Sequence, residues 1–330
     1  MMKKQLTLTL ALLLSLLLLF SGCAQPAAEP TPEPTQQATA EPTAEPTVEP
    51  PSQEIVLGET TCTDVLGREI VIAEGETPER IVSLTATNTE ILFALGLGDK
   101  VVGVDVMSNY PAEAVGIDVV GDFNGPNVEA IVALEPDLIL AGNKLQIDAV
   151  QTLEDLDLRV AAVEATLYDE IDESIQLVGK LTRAEDQAQA LVDTMTQKQQ
   201  EITALEKIDE EVTAYFVLSA GEYGNWTSGP GSFINDMMLS LGITPITQIE
   251  GGAPWMDYSI EELVSADPAV ILMSSQSGVD VETLSGMVGY KDLTAVKEGN
   301  VKIIDADIIS RPGPRIVDAL QAMFDAVYGS

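Results

Sequence analysis

The chain has 330 residues, with 16 Lys and Arg against 53 Asp and Glu, a formal net charge of −37 and no histidine. That balance excludes nucleic acid as a partner, because nothing basic is available to neutralise phosphates, and it argues against adsorption to an anionic lipid surface. Without histidine there is no Ser-His-Asp or Cys-His hydrolase and no imidazole zinc site, so neither a resident metal nor a cofactor is expected.

The N-terminus reads as an export signal over residues 1–22. Lys3 and Lys4 precede an uncharged apolar run from Leu6 to Phe20, and Ser21-Gly22 supplies small residues for cleavage. The run is shorter than the roughly 20 residues that a membrane span needs. Cys23 at the cleavage point resembles the lipobox of bacterial lipoproteins, which implies lipidation of Cys23, although Phe20 stands where Leu or Val is commoner. An ordinary secretory signal with an incidental cysteine is the alternative. Residues 23–54 repeat Glu-Pro-Thr and lack large apolar side chains, so they are expected to be a disordered tether. At about 3 Å per residue such a tether holds a domain tens of ångströms from a bilayer. The expected location is extracytoplasmic, either lipid-anchored to the outer face of the cell membrane or periplasmic.

From residue 55 onward there is enough chain for one large domain or two lobes. Cys62 is the only other cysteine, so no intrachain disulfide is expected, and Cys62 reads as a bystander rather than a nucleophile. The run 80–84 predicts a strand, and 89–98 a helix with Ile91, Leu92 and Leu95 on one face and Gly96 as its stop. A strand follows at 100–104, then a helix and a strand within 127–142. This alternation predicts a mainly parallel sheet covered by helices. Residues 184–208 form a long helical stretch without Gly or Pro, roughly 35 Å in length, before strand 213–220 resumes the alternation.

Residues 128–140 align without gaps on 260–272, matching Glu129 with Glu261, Val132 with Val264 and Pro136 with Pro268. A repeat on this scale predicts two similar lobes with a ligand cleft between them. The expected layout is an N-terminal lobe over 55–168, a helical segment with a bridging helix over 169–208 and a C-terminal lobe over 209–330.

Four segments, "RIVSLTATNTEILFALGLGDKVVGV", "VGDFNGPNVEAIVALEPDLIL", "TSGPGSF" and "DADIISRPGPR", carry a resemblance. From Asp64 to the C-terminus the chain is similar to the substrate-binding lipoproteins of ABC importers for iron-siderophores, haem and vitamin B12. The resemblance implies an α/β fold of two Rossmann-like lobes with mainly parallel sheets joined by one long helix, a class III periplasmic binding protein. It implies a monomeric receptor, not an enzyme, that captures a metal chelate and delivers it to a membrane permease and its ATPase. The aromatic set favours a corrinoid such as vitamin B12. The scarcity of basic residues disfavours an anionic catecholate, so a ferric siderophore comes second and haem third.

By the same resemblance the cleft is lined by Thr85, Ala86, Thr87 and Asn88, the loop from Met107 to Tyr110, Phe123, Trp226, Trp255, and the loop from Ile309 to Arg311. The residues add their own argument: both tryptophans read as loop residues beside glycines, which suits a flat ligand, although each would also serve to plug a lobe surface. Met107 departs from the aromatic expected there. Arg311 would fork onto a ligand oxygen or form an intraprotein ion pair, and Arg315 is expected to pair within the fold. Asn127 and Ser259 read as helix N-caps, with Ser259 and Glu262 forming a capping box, so Glu129 and Glu261 fall in first turns. An acid there favours the helix dipole; the resemblance adds docking to permease arginines. The competing classes are a secreted carboxylate-based hydrolase such as a glycosidase, and a structural surface protein.

Overall fold

The computed structural model describes residues 57–329 except 123–124, 143–145 and 208–209. The chain enters through a hairpin of β1 (Thr60–Thr63) and β2 (Glu69–Ile72). It then builds a sheet from β3 (Ile81–Ser83), β4 (Val101–Asp105), β5 (Val119–Asp122), β6 (Gly125–Pro126), β7 (Leu138–Ala141) and β8 (Val160–Ala162). Helices α1 (Ala86–Ala94), α2 (Val128–Ala133) and α3 (Ile147–Glu154) connect these strands. Two successive helices, α4 (Glu170–Thr182) and α5 (Glu185–Thr203), lead out of this lobe, with Arg183 at φ 60° turning one into the other.

The second lobe contains β9 (Val212–Val217), β10 (Trp226–Ser228), β11 (Ile243–Pro245), β12 (Trp255–Asp257), β13 (Val270–Ser274) and β14 (Val301–Ile304). Its helices are α6 (Phe233–Ser240), α7 (Ile260–Ala266), α8 (Val281–Gly286), α9 (Thr294–Lys297), α10 (Ala306–Ile309) and α11 (Ile316–Tyr328).

Among the described residues the first sheet runs β6-β5-β4-β3-β7-β8 and the second β11-β9-β13-β14. All pairings are parallel except β5 with β6. The two sheets share a pattern: the first strand has its successors on one side (β4, β5 and β6 beside β3; β11 beside β9) and the last two strands of the sheet on the other (β7 and β8; β13 and β14). The α/β, two-lobe architecture expected from the sequence is what the chain adopts.

The central strands alternate between two cores, because successive side chains leave a strand on opposite faces. Along β7, Leu138 and Leu140 enter one cluster while Ile139 and Ala141 enter another with Val82 and Leu153. Along β9, Ala214 and Phe216 join the first cluster while Tyr215 and Val217 join a third around Leu263 and Tyr290. The first cluster is common to both lobes: it runs from Ile81 and Leu92 through Ile175 and Met195 to Met237 and Leu320. Swinging the lobes apart would expose this shared apolar surface at about 25 cal/mol per Å², so the fold opposes a wide hinge.

Local chemistry moves several predicted boundaries. Helix α1 starts at Ala86 rather than 89, because the Thr85 hydroxyl caps it by accepting from Asn88 N at 3.1 Å. It ends before Gly96, whose φ of +76° suits the following turn. The predicted helix 184–208 is observed as Glu185–Thr203.

The tryptophans need a correction. Both were expected in loops, yet Trp226 opens β10 and Trp255 opens β12, and the two strands pair antiparallel with Ser228 opposite Trp255. Gly229 permits the approach: a Cβ there would lie 2.2 Å from the Ala253 carbonyl oxygen. Strands this short between glycines leave no readable alternation in the sequence.

Candidate functional site

In an open parallel sheet, ligands bind beyond the carboxyl ends of the strands, where the strand order reverses. In the first lobe that point lies between β3 and β7, and in the second between β9 and β13. A cavity of about 550 Å³ lies where the two points face each other. After β3 it is lined by Thr85, Ala86 and Thr87, and after β7 by Gln146; the facing wall has Leu218 after β9, and Ser274 and Gln276 from β13. Asp105, Val106, Met107 and Asp122 complete one wall, and Asp307, Ser310 and Arg311 the other.

The walls are held by side chain to backbone bonds. Gln146 accepts from Gly142 N at 2.7 Å and donates to Leu84 O at 2.9 Å, which ties the ends of β7 and β3 together. Asn88 is fully buried and donates to the carbonyls of Ala141 and Val163 at 3.2 and 3.3 Å. Thr87 lies against Gly313 of the other lobe. The Asp105 carboxylate accepts from Met107 N at 3.2 Å and from the Ser108 hydroxyl, which fixes the turn after β4.

Beside the cavity the lobes are clasped by charge. Glu90 of α1, with its side chain 2 % exposed, accepts from Arg311 at 2.9 Å and from Arg315 at 2.9 and 2.6 Å. Arg311 also donates to Asn109 and Asp307, both at 2.8 Å, and to the Met107 carbonyl at 3.2 Å. Asn109 in turn donates to Asp307 at 2.9 Å. The Glu90 hydrogen bonds push the Arg315 guanidinium further toward its charged form. Arg315 pairs within the fold, as its sequence context suggested.

Of the residues singled out beforehand, Thr85, Ala86, Thr87, Met107 and Arg311 come together at the cavity. Asn88 supports the wall from behind. Tyr110 is half exposed under the Arg315 guanidinium, 3.9 Å from its ring centroid, and does not line the cavity. Ile309 is fully buried in the shared core. Trp255 packs edge-on against Phe233 with centroids 5.5 Å apart, and Trp226 is 41 % exposed; neither lines the cavity. Phe123 and Cys23 lie outside the described residues. Sequence reasoning missed Gln146, Ser274, Gln276 and Asp307, although Ser274 is legible as the residue that ends the apolar run of β13. It also missed Glu90, which reads as one more helical acid.

The repeat is reproduced in three dimensions. Asn127 accepts from Ala130 N and Ser259 from Glu262 N, both at 3.1 Å, so α2 and α7 are capped alike. Both end in a left-handed residue, Glu135 at φ 47° and Asp267 at φ 39°, before a buried proline and a central strand. Glu129 and Glu261 are exposed in the first turns and form no ion pair among the described residues. Each helix returns to the start of its strand, so its first turn lies at the end of the sheet that carries the cavity.

A second cavity, about 680 Å³, lies between the β1–β2 hairpin and α4, and only first-lobe and α4 residues line it. Its wall includes Cys62, which is buried; burial pushes the thiol up, which makes it a poor nucleophile. The smaller cavity is the better candidate, because strand ends of both lobes converge on it.

Among the described residues no helix is long and apolar enough to cross a membrane. The profile of the periplasmic binding protein family matches residues 81–308. An uncharacterized ABC transporter substrate-binding lipoprotein of Bacillus subtilis is 32% identical over 275 residues, covering 81% of this chain and 85% of the relative. A solved structure of a possible iron-binding, periplasmic solute-binding protein from Staphylococcus epidermidis is 28% identical, with a TM-score of 0.68 over 77% of this chain and 100% of that one. The periplasmic vitamin B12-binding protein of Vibrio cholerae is 26% identical, with a TM-score of 0.64 over 76% of this chain and 96% of that one. These matches give no support to the hydrolase alternative. The chain belongs to the periplasmic binding protein family, the extracytoplasmic substrate-binding receptors of ABC transporters rather than enzymes.

Proposed function

We propose that this receptor captures a metal chelate in the interlobe cleft, a corrinoid ahead of a ferric siderophore, and hands it to the permease of its importer. The observation that carries the reading is the cavity at the facing switch points, with Thr85, Ala86, Thr87 and Met107 on one wall and Arg311 on the other. Its volume falls in the range of about 300–1,000 Å³ usual for ligand clefts. The name of the Vibrio cholerae relative supports the corrinoid, and that of the Staphylococcus epidermidis protein supports iron chelates as runner-up.

Cys23 carries the lipid and residues 23–54 form the tether; the lipoprotein name of the Bacillus subtilis relative supports this. Anchoring keeps the receptor beside its transporter and makes docking effectively intramolecular. Glu129 and Glu261 are the docking contacts, each with an exposed valine, Val132 or Val264, three residues further along its helix. Residues three apart share a helix face, so each lobe offers a carboxylate beside an apolar spot.

The test is calorimetric titration of residues 55–330 with cyanocobalamin, cobinamide and a neutral ferric hydroxamate in parallel. Submicromolar binding of a corrinoid alone is the expected result. Binding of the hydroxamate alone moves the ligand class to siderophores, and silence from all three contradicts the reading.

A further inference from the structure

The arginine in the cleft wall is surrounded by acids and carbonyls of the protein itself. Arg311 is the only cation among the described lining residues. A guanidinium has four terminal N–H groups, and in Arg311 all four are engaged: two by Glu90 and Asn109, two by Asp307 and the Met107 carbonyl. Arg315, the next cation along the chain, forks onto both Glu90 oxygens. Glu90 and Asp307 thus balance the two arginines. The opposite wall has two more acids, Asp105 and Asp122; the described partners of Asp105 are neutral donors, a backbone N–H and a hydroxyl, which leave its charge uncancelled.

We infer that Glu90 is a specificity-determining residue: by taking both arginines it withdraws positive charge from the cleft, which then selects cationic or neutral chelates against anionic ones. This rests on the proposed chelate-binding function and adds the sign of charge to it. The mechanism is Coulombic. An anion entering the cleft finds no unengaged terminal guanidinium donor and meets the Asp105 carboxylate, while a cation meets that carboxylate favourably. The acidity of the whole chain acts in the same direction at longer range, raising the local concentration of cations.

The test uses matched pairs that differ in one charge and not in the metal's coordination. The first pair is ferrioxamine B, with a free ammonium, and its N-acetyl derivative. The second is cyanocobalamin and its peripheral monocarboxylate, in which one amide has become an anion. Residues 55–330 are titrated with each at about 20 mM and about 200 mM salt. In the pair that binds, the more positive member is expected to bind about tenfold more tightly at low salt, with the gap shrinking to about threefold at high salt. Glu90→Gln unbalances the arginines and is expected to close the gap or reverse it. Asp105→Asn keeps one of the turn's two acceptor oxygens, for Met107 N, and turns an amide N–H toward the Ser108 hydroxyl, which can accept it; it is expected to narrow the gap in a chain with an unchanged circular dichroism spectrum. It therefore tests the idea even if Glu90→Gln fails to fold. Equal affinities within a pair, or tighter binding of the more negative member, overturn the inference while leaving the chelate reading standing. Binding of no member overturns the inference, and silence from cobinamide as well overturns the chelate reading with it.

Discussion

In the first lobe Asn127 caps a short helix whose first turn exposes Glu129 and whose last residues lead through Glu135 and Pro136 into β7. In the second lobe Ser259, Glu261, Asp267 and Pro268 do the same ahead of β13. The agreement extends to α1 and α6: Thr85 and Ser232 cap them, and a fully buried asparagine, Asn88 or Asn235, stands three residues after each cap. The cleft walls do not agree in this way. One wall supplies Asp105 and the capped start of α1, Thr85-Ala86-Thr87, beside Gln146, and the other supplies Ser274, Gln276 and the engaged Arg311. Buried repeats are what two copies of one fold require. Exposed repeats, Glu129 with Val132 and Glu261 with Val264, are not required by the fold, and they suit a partner that meets both lobes in the same way. The unlike walls suit a ligand that is not symmetric.

The largest effect should come from breaking the exposed repeat. Glu129→Ala with Glu261→Ala is expected to lower chelate uptake by whole cells about 100-fold while leaving calorimetric affinity unchanged, and each single change is expected to cost a similar part of the loss. Normal uptake by the double variant would reduce both glutamates to helix-dipole acids, a role worth about 0.3–1 kcal/mol each. Next comes a change on the unlike walls: Ser310→Trp places a large side chain in the cavity from an exposed position. It is expected to weaken chelate binding by about 30-fold in titration, with a thermal midpoint shift of no more than about 2 °C.

A smaller effect sharpens the comparison inside the fold. Asn88 donates to two backbone carbonyls, whereas Asn235 bonds the side chains of Ser228 and Gln248, which can rotate to other partners. Asn88→Ala should therefore cost about 2–3 kcal/mol in urea unfolding and Asn235→Ala about 1 kcal/mol. Equal costs would show that the second lobe's network is as rigid as the first's.

The smallest effect concerns acid. Arg159 donates to both Glu76 oxygens at 2.7 and 3.1 Å and holds its carboxyl below the ordinary value. Asp64 is lowered as well: burial opposes its charge, but Arg68 and the Ala162 N–H more than offset that. A depressed folded-state pKa contributes stability that is present above the ordinary carboxylate value of about 4 and is lost as pH falls through the lowered value. Hydrogen exchange near pH 3 should thus show loosening first around the β1–β2 hairpin, and Glu76→Gln should make the chain's stability less sensitive to pH in that range.

Much of the fold was readable because its signals are local. Apolar runs within 80–84 and at 138–141 mark strands buried on both faces, and the gapless repeat reports two lobes without any knowledge of pairing. The site was readable only in part. Thr85, Ala86 and Thr87 follow a strand directly, so strand-end logic reaches them. Asp307 and Gln276 reach the cavity through turns whose direction no periodicity encodes. Glu90 was invisible because its partners Arg311 and Arg315 are more than two hundred residues away in sequence. The tryptophans misled because residue type and neighbouring glycines suggested loops, while the strands they open have only three residues each.

The proposed function requires one ligand to be held between the strand ends of both lobes. Hydrogen exchange of residues 55–330 with and without saturating aquocyanocobinamide tests it most directly. Slowed exchange is expected at Thr85–Thr87 and Gln146 in one lobe and at Leu218 and Ser274–Gln276 in the other, with the groove between the β1–β2 hairpin and α4 unchanged. Protection confined to one lobe, protection at that groove, or no change anywhere would contradict it.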